Sequence, residues 1–146
     1  MADIAHRIGV TCTPEAVYRA LTTVDGLAGW WTRDTDGDGD AGGVLRFGFE
    51  PGACAMKVLE TRPAAHVLWE TVEGPQEWMG TRIRFDLSKE GDYTIVLFRH
   101  EGWREPVEFM AHCSTKWAIF LMSLKRMVET GQGEPAPDDV RISDWH

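Results

Sequence analysis

The chain has 146 residues and a mass of 16.4 kDa, the size of one domain that buries roughly two thirds of its unfolded surface. Hydrophobic residues make up 43% and charged residues 26%, as in an ordinary globular domain. The formal net charge of −8 excludes the basic face needed for nucleic acid and electrostatic docking on anionic lipid.

The elements follow in chain order. Ile4, His6, Ile8, Val10 and Cys12 share one face at period two, which predicts a strand over 4–12. Thr13-Pro14-Glu15 is a helix start, with Thr13 as N-cap and Pro14 in the first turn. Val17, Ala20 and Leu21 form the apolar stripe of that helix. Residues 24–31 read as a second, short helical turn ending in Trp30 and Trp31. The run Asp34–Asp40, followed by Ala41-Gly42-Gly43, reads as a polar loop on composition.

Strand patterns then fill about 55 residues. Leu45, Phe47 and Phe49 alternate, Pro51-Gly52 marks a turn, and Cys54, Met56 and Val58 alternate after it. A turn at Pro63-Ala64 leads into 66–72, and 73–80 is a longer connection. Thr81, Ile83, Phe85 and Leu87 alternate with Arg82, Arg84 and Asp86, and residues 89–92 turn into a last strand over 93–100. The count is six strands. A long helix is predicted over about 106–130, with Met110, Cys113, Trp117, Phe120, Leu121 and Leu124 on one face and Gly131 just past its end. The expected organisation is one domain over 1–131 and an extended tail over 132–146, which Trp145 would anchor by folding back.

Few residues suggest reactive chemistry. Cys12, Cys54 and Cys113 form no C-x-x-C pair and read as reduced core thiols. No secretory leader or apolar run of bilayer length is visible, so a cytoplasmic location is expected. Asp34-x-Asp36-x-Asp38-Gly39 reproduces the first half of an EF-hand loop, but Leu45 stands where the bidentate carboxylate is needed. It reads as a solvated acidic loop, with adventitious calcium or magnesium binding as the alternative; no dedicated metal site and no cofactor is expected. His100 and His112, with Glu101, Glu105 or Glu108, suit an acid–base pair or a metal site, but no third ligand at a defined spacing is visible and a rim histidine bonded to an indole or a carbonyl fits better.

The seven tryptophans divide. Trp69 and Trp117 read as interior, and Trp30 and Trp31 as a helical pair with one ring at a cavity mouth. Trp78 and Trp103 lie in polar surroundings and read as more exposed, candidates for a ligand gate or a dimer contact.

Several motifs together resemble a known family. Thr13-Pro-Glu-Ala-Val-Tyr-Arg-Ala-Leu-Thr22, the Trp30-Trp31 pair, Gly42-Gly43, the Val58–Trp69 hairpin, His100-Glu-Gly-Trp103 and Trp117-x-x-x-Leu121-x-x-Leu124 occur in one order. They resemble the SRPBCC (START/Bet v 1-like) superfamily, in particular the homologues of the activator of heat-shock-protein-90 ATPase (AHSA1-like). The resemblance implies an α+β helix-grip fold: a six-stranded antiparallel curved sheet wrapped on a long C-terminal helix, with two short helices after the first strand. It also implies a cavity between sheet and helix.

Periodicity within that fold assigns Phe47, Phe49, Met56, Trp69, Phe85, Phe98, Trp117 and Leu121 to the cavity lining. Trp30 and Trp31 cap it, and Tyr93, His100 and His112 supply the polar contacts. The expected function is binding of a small hydrophobic or aromatic ligand with no covalent chemistry and no catalytic residue. The alternatives are an enzyme on the same scaffold using a cavity His or Glu, and a chaperone-activator-like interaction domain. The last ranks lower because such activators pair this domain with a further N-terminal one. A homodimer is compatible with all three.

Overall fold

The computed structural model describes residues 1–49 and 52–146. Strand β1 (Ala2–Val10) is followed by helices α1 (Pro14–Thr22) and α2 (Val24–Trp30). Strands β2 (Thr35–Gly37), β3 (Val44–Phe49), β4 (Gly52–Arg62), β5 (His66–Glu73), β6 (Arg82–Glu90) and β7 (Tyr93–Trp103) come next, and helix α3 (Glu108–Thr130) follows them. The strands form one antiparallel sheet in the order β1-β7-β6-β5-β4-β3-β2. Residues 50–51, with half of the expected Pro51-Gly52 turn, lie outside the described residues.

The short helices start as their sequences dictate. Thr13 Oγ1 accepts from the Ala16 N–H at 3.2 Å, and Thr23 Oγ1 accepts from the Gly26 N–H at 3.0 Å. A cap of this kind contributes about 1 kcal/mol. Val17, Ala20 and Leu21 turn inward from α1, and Leu27 and Trp30 from α2. Helix α3 ends at Gly131, whose φ of 92° is the left-handed conformation that a Cβ disfavours.

The sheet has seven strands rather than the expected six. The extra one, β2, lies within the acidic run read as a loop. Its backbone pairs with β3 through Thr35–Phe47, Asp36–Arg46 and Gly37–Leu45. Asp36 thus stands opposite Arg46, a favourable cross-strand pair. Composition signals turn-formers here, but pairing with a distant strand leaves no mark in local composition. The loop beyond β2 is pressed against α1, because a Cβ on Gly39 would lie 2.1 Å from the Thr22 carbonyl oxygen. Among the described residues no group of three or more His, Cys, Asp or Glu side chains converges as a metal site.

Alternation places Ile83, Phe85 and Leu87 inside, as the pattern predicts. The inner sheet face packs on α3 and α2 through rings that fill the interior. Phe47, Trp69, Phe85 and Phe98 are essentially inaccessible, as are Met56 and Leu121. Trp69 meets Phe85 edge-on with centroids 5.3 Å apart, and Phe98 lies 4.6 Å from Trp117. Aromatic pairs at these separations add to the benefit of burial. The space expected to form a central cavity is therefore largely occupied by side chains of the protein itself.

Residues 132–146 run back over the domain. Ala136 donates its N–H to the Trp31 carbonyl at 2.8 Å and accepts from the Arg33 N–H at 3.1 Å. Glu134 N–H donates to Ser123 Oγ at 2.8 Å, and Trp145 meets the ring of His112 edge-on at 5.5 Å. The tail is thus tied to the domain at several points, with local turns such as Asp138 N–H to the Pro135 carbonyl at 2.9 Å.

Candidate functional site

An open cleft of about 970 Å³ lies at one end of the sheet–helix layer. Its walls come from the segment after α2, the β3–β4 end of the sheet, the connection before β6, the N-terminal half of α3 and the tail. Trp31, Phe49, Trp78, Phe109, Trp117 and Phe120 supply the aromatic surface. The α3 residues among them, with Cys113 and Lys116, recur at spacings of three and four, so a single helical face builds that wall.

Trp31 joins the core to the cleft. Its ring lies 4.3 Å from Phe47, 5.0 Å from Trp117 and 5.5 Å from Phe49, and it stacks on Trp69 at 6.0 Å. Trp30, its neighbour, turns into the core and donates its indole N–H to the Ala20 carbonyl at 2.8 Å. Trp31 lies on the cleft side of the adjacent pair, and both rings are nearly inaccessible.

Of the residues expected to line a cavity, Trp31, Phe49, His112 and Trp117 meet in the cleft. Phe47, Met56, Trp69, Phe85, Phe98, Leu121 and Trp30 lie behind them in the packed core. Tyr93 is a correction. It stands at the start of β7, is 47% exposed, and has the Lys125 ammonium 5.9 Å from its ring. The alternation that turns Thr94, Val96 and Phe98 inward turns Tyr93 out.

His100 is also a correction, since it does not reach the cleft. It is fully buried and sits under the edge of Trp78, at 4.8 Å and 89°. Trp117 Nε1 donates to His100 Nδ1 at 3.1 Å. An indole nitrogen can only donate, so Nδ1 carries no proton and Nε2 donates to Thr81 Oγ1 at 2.8 Å. The Thr81 hydroxyl passes the chain on to the Trp78 carbonyl at 2.5 Å. Burial lowers the His100 pKa to about 3. The imidazole is thus neutral, with both nitrogens engaged, and ties β7 to α3 and to the connection before β6. Trp103, expected near the surface, is buried against the His100 ring at 5.0 Å because β7 continues to its end there.

The polar groups of the cleft include His112 and Lys116 on α3 and Asp139 and His146 on the tail. His112 Nδ1 is 3.1 Å from Ser143 Oγ, and its pKa is lowered by burial and then by nearby Lys116. Burial pushes the Cys54 and Cys113 thiols up to about 12, so both are protonated rather than nucleophilic. The indole nitrogens of Trp69, Trp78 and Trp103 are buried with no hydrogen-bond partner among the described residues; that of Trp78 belongs to a ring of the cleft wall.

Periodicity missed the contributions of Phe109, Lys116 and the tail. The first two follow the spacing of Cys113 and Phe120 and were legible on that face. The tail carries no periodic pattern. His66, also unremarked in the sequence, is buried between Asp86 (2.6 Å) and Glu60 (3.0 Å) on paired strands, away from the cleft lining.

Residues 11–129 match the family model of Activator of Hsp90 ATPase homolog 1-like protein, abbreviated AHSA1. The chain belongs to the AHSA1-like family. The Aha1 dimer from Colwellia psychrerythraea, a solution structure, is similar to it at 44% identity, covering 91% of this chain and 100% of that one with a TM-score of 0.84. The AHSA1-like fold also resembles protein MLL2253 from Mesorhizobium loti at 17% identity, covering 87% and 96% of the two chains, with a TM-score of 0.77. CalU16 from Micromonospora echinospora is 20% identical over 92% of this chain and 77% of its own, with a TM-score of 0.73. At those identities the last two bear on fold alone. No curated protein matches the chain. No helix among the described residues is long and apolar enough to cross a membrane.

Proposed function

We propose that this AHSA1-like chain binds a small, largely apolar, aromatic ligand in the cleft at the end of the sheet–helix layer. The observation that carries the reading is the wall of Trp31, Phe49, Trp78, Trp117 and Phe120 around a space of about 970 Å³. Specific small-molecule sites are of this size and character. Burying some 200 Å² of ligand apolar surface contributes about 5 kcal/mol before association costs, enough for micromolar affinity. No covalent step is required: burial keeps the Cys54 and Cys113 thiols protonated, and His100 lies outside the cleft lining.

Titration with a panel of apolar aromatic compounds tests this. Saturable quenching of tryptophan emission, with a one-to-one adduct in native mass spectrometry, is expected. A panel in which no member changes the emission or adds mass overturns the reading.

A second reading concerns assembly. The relative from Colwellia psychrerythraea is described as a dimer, and at 44% identity this supports the same state here. Sedimentation velocity at micromolar protein is expected to return twice the 16.4 kDa chain mass. A single monomer boundary rejects it.

A further inference from the structure

Lys116 is the feature of the cleft that the apolar reading leaves unexplained. It lies on the aromatic face of α3, with a side chain only 13% exposed and its ammonium 5.2 Å above the Phe120 ring. Both of its oxygen partners belong to the tail. The ammonium forms an ion pair with the Asp139 carboxylate and donates to the Val140 carbonyl at 2.8 Å. Asp139 is itself 3% exposed, and its second oxygen is 3.3 Å from His146 Nε2. Arg33, the other basic side chain of known long reach on the cleft lining, is 58% exposed and pairs with Asp138.

A buried ammonium needs a counter-charge, because an unpaired one in such a place is costly. Among the described residues, the carboxylate paired with Lys116 comes from the tail. Asp139 thus occupies the position where an acidic group at the end of an apolar molecule would sit. The aromatic rings would take the body of that molecule and Lys116 its head. A tethered carboxylate acts at an effective concentration in the millimolar range, so it weakens a free acid without excluding it.

We infer that the cleft selects an apolar or aromatic carboxylic acid, whose head pairs with Lys116 in exchange for Asp139, the tail serving as an intramolecular competitor. This rests on the reading of the cleft as a ligand site and adds the chemical class of the ligand and a control on its affinity.

Two probes that share one apolar body separate the two levels. 1-Pyrenebutyrate and 1-pyrenebutanol are titrated by fluorescence against the full-length protein, Asp139→Asn, Lys116→Met and Lys116→Arg. Asp139→Asn is expected to bind the acid about tenfold more tightly than the unaltered chain, the scale of one charge-assisted hydrogen bond, while the alcohol changes little. Lys116→Met is expected to lose the preference for the acid, and Lys116→Arg, which keeps a cation there, to retain it. Equal affinity of both probes for Asp139→Asn, with the alcohol bound, overturns the inference and leaves the cleft reading standing. Binding of neither probe to any form overturns both. The comparison of probes within Asp139→Asn decides the matter even where Lys116→Met does not fold.

Discussion

Trp31→Ala is expected to lower the unfolding free energy by about 3–5 kcal/mol, the range for removing a large buried aromatic side chain. A domain of this size has about 5–15 kcal/mol in total, so the variant should sit near the edge of folding. The reason is position as well as size. Trp31 touches Trp30, Phe47, Phe49, Trp69 and Trp117, drawn from α2, β3, β5 and α3. Truncation leaves a void bordered by rings that are themselves tightly packed, and such rings collapse poorly into the gap. The backbone contact of residue 31 with Ala136 would survive. Urea unfolding checks the prediction. A loss below about 1 kcal/mol would mean that the rings around position 31 repack freely, contrary to the close packing described.

Acid should destabilise the domain through His100. Its folded pKa of about 3 lies below its ordinary value of 6.5, with burial as the cause. An unfolded chain therefore takes up a proton at His100 between these values while the folded chain does not. Stability contributed by the neutral imidazole is complete above pH 6.5 and declines as pH falls toward 3. The slope over that window is about 1.4 kcal/mol per pH unit, so the effect amounts to a few kcal/mol at its acid end.

His100→Gln separates this from the titration of carboxylates. Its amide oxygen can accept from Trp117 and its amide nitrogen can donate to Thr81, but it does not titrate. Thermal melts from pH 7 to pH 4 are expected to show a steep fall for the unaltered chain and a shallower one for the variant. Parallel curves would rule out His100 as the source. His112, whose pKa is lowered as well, acts in the same direction but is partly exposed and should add less.

The sequence reached far into the fold where the signal is local. Thr13 and Pro14 start a helix because of their own backbone chemistry, and β6 shows its inward face because side chains alternate along a strand. Strand β2 escaped, since Asp and Gly describe a turn in isolation and become a strand only when β3 lies alongside. Trp103 and Tyr93 show the same limit in opposite senses. The first, beside polar residues, has the local setting of an exposed ring yet is buried; the second, an aromatic expected at the cavity, faces outward.

What the sequence by itself determined is the order of the elements, the buried face of most of them and the family to which they belong. All three rest on patterns within a few residues or on short motifs in a fixed order. The tertiary structure decided how the enclosed volume is used. Trp69 and Trp117 are core-facing by pattern and Trp30 and Trp31 cap the interior, and periodicity cannot tell a ring that lines a space from one that fills it. Only their mutual packing closes the centre and leaves the cleft at its end. The tail shows the same division. Pro135 and Pro137 indicate an extended chain, but the contacts of Ala136 with Trp31 and of Asp139 with Lys116 join residues far apart in sequence. They exist because the folded domain presents a groove edge and a buried cation for the tail to meet.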